Sequence, residues 1–134
     1  MAKDIIHDAV KHALIKDGWT ITDDQYTLRF GDERVYADLA AEHTISPERV
    51  IVVEIKSFVG ASLVQEFEKA LGQYMLYAGI LKLKEMPHKL YLALSDTAYY
   101  DINERLILSS ILKQYQIPLI VVDITLEEIV KWIN

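Results

Sequence analysis

The chain has 134 residues, with 14 Lys plus Arg against 20 Asp plus Glu, a net charge of −6, and 51% apolar residues. That apolar content excludes a disordered chain, and the absence of cysteine excludes a disulfide scaffold, thiolate zinc, iron–sulfur clusters and cysteine catalysis. The acidic balance argues against a basic coat for bulk nucleic-acid binding, while leaving a local or metal-bridged contact open.

Five Gly and three Pro are scattered without repeats or low-complexity tracts, so one domain spanning 1–134 with short loops is expected. No apolar stretch approaches the length of a bilayer span. The opening Met1-Ala2-Lys3-Asp4 has an early acid and no apolar signal core, so a cytoplasmic protein with no membrane partner is expected.

Residues 3–17 predict a helix, because Ile6, Ala9, Val10, Ala13 and Leu14 fall on one face. Asp4 suits its positive start and Gly18 its stop, with His7, Asp8 and Lys11 off the stripe. Trp19 and Ile21 lead toward a turn at Thr22-Asp23-Asp24. Strands are expected over 26–30 and 34–42, joined by Gly31-Asp32-Glu33. In the second, Val35, Ala37, Leu39 and Ala41 share one face, and Tyr36, Asp38, Ala40 and Glu42 the other. Pro47 marks a loop. Residues 50–57 form a third strand, apolar on both faces at first, with Glu54 and Lys56 on one face and Ile55 opposite.

Residues 62–84 predict a long helix, along which Glu66, Lys69, Gln73 and Tyr77 step down one flank. A strand is expected over 89–94, a helix over 98–116 and a strand over 119–124. Thr125 and Glu128 have the spacing of a capping box for a final helix. The order α-β-β-β-α-β-α-β-α implies an α/β (α+β) mixed sheet: three antiparallel strands, then crossover connections.

Glu54 and Lys56 close an apolar strand, where charges are costly unless paired or bound to a metal. Asp38, on the neighbouring strand, can join Glu54. Two carboxylates and the Ile55 carbonyl offer the oxygens that Mg²⁺ or Mn²⁺ prefers, and Lys56 can orient a water or stabilise a developing anion. One of two such adjacent carboxyls should have a raised pKa. The same three residues would equally serve as an ion pair that fixes strand pairing. Gln73 and Tyr77 are candidate supports at the rim, or an exposed amide and a packing aromatic. There is no Walker loop, dinucleotide fingerprint or helix-turn-helix pattern.

Asp38 followed by Glu54-Ile55-Lys56 resembles the PD-(D/E)xK nuclease superfamily, with Ala37 standing where proline often precedes the aspartate. Gln73-Tyr74-Met75-Leu76-Tyr77 looks like the QxxxY element of some of its branches. The resemblance implies a restriction endonuclease-like αβββαβ core flanked by helices. It further implies Asp38, Glu54 and Lys56 as catalytic residues, a metal held by Asp38, Glu54 and Ile55, and Asp8 as the nearest candidate for a first-helix acid. Over nearly its full length the chain is similar to the XisH family, the fdxN-element excision controlling factors of cyanobacteria. The stretches Ala2-Lys3-Asp4-Ile5-Ile6-His7-Asp8-Ala9-Val10, Asp17-Gly18-Trp19-Thr20-Ile21-Thr22, Val53-Glu54-Ile55-Lys56-Ser57-Phe58 and Ala70-Leu71-Gly72-Gln73-Tyr74 carry that similarity. It implies a role in programmed DNA excision beside a recombinase and the companion factor XisI, with DNA as a partner and a homo-oligomer open. It implies either a Mg²⁺- or Mn²⁺-dependent deoxyribonuclease or an inactive accessory protein on the same fold.

Overall fold

The structure is a computed structural model that describes residues 2–43, 45 and 49–134, with side chains from residue 5 onward. The Asp4 side chain and Pro47 lie outside the described residues. Helix α1 (Ala2–Lys16) buries Ile6, Ala9, Val10, Ala13 and Leu14, the stripe its 3.6-residue period sets. It ends before Gly18, whose φ of +94° is a conformation glycine adopts without steric cost.

Four strands follow, not two. They are β1 (Trp19–Asp23), β2 (Tyr26–Phe30), β3 (Glu33–Ala37) and β4 (Leu39–His43). The segment expected to lead only to a turn is β1, antiparallel to β4 with Trp19 opposite His43. The strand expected over 34–42 is broken at Asp38. β2 and β3 form a separate hairpin, turning at Gly31 (φ +63°), while β4 joins the main sheet. Ala37 and Leu39, two residues apart, therefore do not share a face. Ala37 packs with Leu28, Val52 and Tyr77, whereas Leu39 packs with α1. The bend is held by main-chain pairing, with Asp38 N–H donating to the Val53 carbonyl at 3.1 Å.

β5 (Val50–Ile55) is central, antiparallel to β4 and parallel to β6 (Lys89–Ser95). Between them runs α2 (Leu63–Leu83), capped by Ser62, whose hydroxyl accepts from Gln65 N–H at 3.2 Å. β7 (Leu119–Asp123) is parallel to β6, giving the main sheet the order β1-β4-β5-β6-β7-β8. In that sheet the chain runs through α1, three antiparallel strands, α2 and a parallel strand, a mixed α/β architecture.

Two further elements differ from the sequence expectation. The helix expected over 98–116 is two helices, α3 (Asp96–Asn103) and α4 (Leu106–Gln114). Ile102 and Leu108 are both buried in one apolar cluster, yet six residues along a single helix would set them about 120° apart. The break at Glu104-Arg105 lets both face inward. The expected final helix is β8 (Glu128–Ile133), antiparallel to β7. Asp123 Oδ1 accepts from Leu126 N–H at 2.9 Å and Glu127 takes φ +53°, making a turn where the capping box was read. The open edge of the buried strand β7 needs a hydrogen-bonding partner, and this outweighs the local cap signal.

The sheet is covered on both faces. α1 seals one over Leu39, Ile51, Val53, Ala93 and Ile120. α2, α3, α4 and the hairpin seal the other over Val52, Leu90, Leu92, Leu94 and Val121. Alternate residues of β6 and β7 thus reach different cores, which explains their continuous apolar runs. Among the described residues no helix is long and apolar enough to cross a membrane.

Candidate functional site: paired carboxylates and a lysine

The end of β5, the bend at Asp38 and the nearby ends of α1 and α2 meet at a cleft of ≈ 210 Å³. It is lined by Ile6, His7, Asp38, Ile55, Lys56, Ser57 and Glu66. Alternation along β5 sends Ile55 toward the α1 side, where it packs on that core, and sends Glu54 and Lys56 to the other. Three clefts are larger: those of ≈ 260 Å³ and ≈ 300 Å³ beside Tyr99 and Trp19 have no pair of carboxylates with a lysine on their walls, whereas a second of ≈ 300 Å³ has Asp17, Glu128 and Lys16, all three exposed, with Lys16 Nζ donating to the Leu126 carbonyl at 2.8 Å.

The structure brings Asp38, Glu54 and Lys56 together. Asp38 Oδ2 accepts from Ile55 N–H at 2.7 Å, which ties the bend to the strand end and fixes the carboxylate. Lys56 Nζ lies 3.4 Å from Glu54 Oε2. Glu54 is only 5% exposed and is not itself on the cleft wall. Its Oε1 is buried with no hydrogen-bond partner among the described residues. Burial, first, and the Asp38 charge, second, push its pKa from the ordinary 4.5 up to about 7, against the opposing pull of Lys56, and a hydrogen bond that the protonated carboxyl shares with Asp38 adds to the rise. The sequence pointed to repulsion between the carboxyls; desolvation is the larger cause.

Of the two rim candidates on α2, Tyr77 is buried and its hydroxyl donates to the Tyr36 carbonyl at 3.1 Å, pinning the hairpin to the helix. Burial raises its pKa, and the charges of Glu54 and Asp38 raise it further. Gln73 is half-buried, and its Oε1 is enclosed without a partner among the described residues. Asp8 is exposed and does not line the cleft.

From α1 it is His7 that reaches the cleft. Its Nε2 is 2.8 Å from Asp24 Oδ1, and Lys11 Nζ donates to Asp24 Oδ2 at 2.9 Å. Burial opposes ionisation of Asp24, but the hydrogen bonds from Lys11 and His7 prevail and hold its carboxyl below the usual range. His7 adjoins Ile6 on the buried stripe, whereas Asp8 is turned another 100° away. This boundary position is the sequence signal for His7. Ser57 and Glu66, the latter in the first turn of α2, are the other polar wall residues without a role in the sequence reading. Gly60 makes room for Glu66, since a Cβ there would lie 2.6 Å from Glu66 Cδ.

The donor chemistry fits a hard divalent cation: two adjacent carboxylates, one oxygen of which has no other partner, and the nearby Ile55 main chain. No group of three or more His, Asp or Glu side chains among the described residues could hold a metal. The protein side of such a site would therefore be Asp38, Glu54 and a main-chain oxygen.

Fold and site together define a mixed α/β protein with an acidic pair and a lysine at the end of a central strand. A family model described as XisH protein matches residues 1–130, and the chain belongs to the XisH family. It is similar to the crystal structure of an fdxN element excision controlling factor protein from Anabaena variabilis, with 39% identity and a TM-score of 0.89, over 98% of this chain and 99% of that one. It is also similar to an XisH family protein from Nostoc punctiforme PCC 73102, with 36% identity and a TM-score of 0.90, over 98% of this chain and 100% of that one. No curated protein matches it.

Proposed function

We propose that this XisH protein is a PD-(D/E)xK-type nuclease domain that hydrolyses DNA phosphodiesters during excision of a genomic element, using Mg²⁺ or Mn²⁺. The observation that carries the reading is the carboxylate of Glu54. It is buried, lacks a partner at Oε1, and is set beside Asp38 and Lys56. An ionisable group so placed costs stability unless something charged completes it. Asp38 and Glu54 would hold the cation together with the Ile55 carbonyl. When bound, the cation supplies Lewis acidity toward a phosphodiester and its attacking water. Lys56 offers an ammonium to the negative charge that develops on the phosphate. Tyr77 and Gln73, neither of which lines the cleft, would act as supports from α2, and His7 and Glu66 edge its mouth. The excision context rests on the name of the Anabaena variabilis neighbour. A recombinase and the companion factor XisI, which the resemblance to the XisH family implies, are the proposed partners.

The test is Mn²⁺ titration calorimetry on wild type, Asp38→Asn and Glu54→Gln, alongside nicking of supercoiled plasmid by wild type and Lys56→Ala. Binding in the wild type that disappears in both carboxylate variants, with cleavage lost in Lys56→Ala, is expected. A folded wild type that neither binds Mn²⁺ nor nicks DNA would refute the nuclease reading. It would favour an accessory role, to which the net charge of −6 already lends weight over free-standing DNA binding.

A further inference from the structure

Helix α2 buries Phe67, Ala70, Tyr77 and Leu81 on one side. On the other it exposes Gly72, Met75, Leu76, Gly79 and Leu83. These five follow i, i+3, i+4, i+7 and i+11 and so form one stripe. Met75 and Leu76 are each 52% exposed and Leu83 66%. Glycine inside a helix costs about 0.5–1 kcal/mol relative to alanine. Nothing within the chain requires glycine at 72 or 79. Neither has a positive φ, and a Cβ at either would meet no atom within 4 Å. What glycine uniquely provides on a helix surface is close approach of another backbone.

We propose that this stripe is the interface of a homodimer, with two copies packing α2 against α2 in antiparallel sense about a two-fold axis passing between Met75 and Leu76. A two-fold interface must be self-complementary, and four of the five residues mirror one another about that point. Gly72 of one copy meets Gly79 of the other, and Met75 meets Leu76. Glu68 meets Leu83, which Lys82 and Lys84 flank. The antiparallel sense therefore sets acid against base at both ends and opposes the helix dipoles, whereas a parallel pair would stack like charges. Lys69 mirrors Lys82, but Lys69 lies 3.5 Å from Glu66 and its charge is locally balanced. None of the five residues lines the carboxylate cleft, so the inference is independent of the proposed chemistry.

Sedimentation equilibrium on the full chain tests it, at concentrations up to on the order of 100 µM. The wild type should be dimeric. Gly79→Lys, which improves helix propensity at a position where an added Cβ meets open space, should raise the dimer dissociation constant more than about tenfold with an unchanged circular dichroism spectrum. Glu68→Lys should weaken the dimer, and adding Lys82→Glu with Lys84→Glu should restore it. A monomeric wild type would overturn the proposal, whether or not this face then captures another protein. So would a dimer indifferent to Gly79→Lys and to the charge exchange.

Discussion

Replacing Glu54 by Gln keeps the shape of the protonated carboxyl and abolishes its ionisation. In the native protein this carboxyl titrates at about 7 rather than 4.5, so the folded state holds its proton more tightly than the unfolded chain. Stability from this group is fully present below about pH 4.5, falls as pH rises, and levels off above about pH 7. At about 1.4 kcal/mol per pH unit, the wild type should lose about 3 kcal/mol across that window relative to Glu54→Gln. Urea unfolding in the presence of EDTA at pH 4.5, 6 and 8 measures it. With an m-value of about 2 kcal/mol per M, the difference in midpoint between the two proteins should grow by on the order of 1.5 M. Mn²⁺, which selects the ionised carboxylate, should restore the wild type at pH 8 and leave Glu54→Gln unchanged. Parallel pH curves for the two proteins without metal, or a wild type that gains on the variant as pH rises, would mean that the fold does not hold the Glu54 proton more tightly than the unfolded chain.

Asp38→Asn removes the nearby charge but keeps an acceptor for Ile55 N–H, so the Glu54 titration followed by carboxyl NMR should move to lower pH; an unchanged midpoint would assign the whole shift to burial. Tyr77→Phe removes the hydrogen bond to the Tyr36 carbonyl and should cost about 1 kcal/mol in urea unfolding, with the hairpin amides exchanging faster. Leu14→Ala empties a fully buried position under the sheet and should cost about 2–5 kcal/mol; a loss below about 1 kcal/mol would mean that α1 is not docked on the sheet through this side chain. Gly60→Ala should change stability by less than about 1 kcal/mol, because the atom it meets is the end of a flexible side chain, while turning the Glu66 carboxyl away from its present position. A crystal structure of that variant with Glu66 unmoved would contradict the close packing of Gly60 on Glu66.

Local patterns determined α1, α2 and the strands β5, β6 and β7, because each carries its own signal: a 3.6-residue apolar stripe or a short run of β-branched and aliphatic residues. The same alternation put Glu54 and Lys56 on one face, and two charges closing an apolar strand marked the site from the residues alone. Tertiary structure decided whatever depended on a partner distant in the chain. β1 exists as a strand because β4 offers it an edge, and β8 because β7 does; no local pattern encodes a free edge. The break at Asp38 is set by main-chain pairing to Val53, so the period-2 reading of 34–42 ran across two sheets. The neighbours of Glu54 follow from the same cause. A shift driven mostly by desolvation depends on how completely helix and hairpin close over the carboxylate, and that enclosure is a property of the packed chain. Likewise, His7 and not Asp8 edges the cleft because the rotation of α1 on the sheet is fixed by five buried side chains acting together.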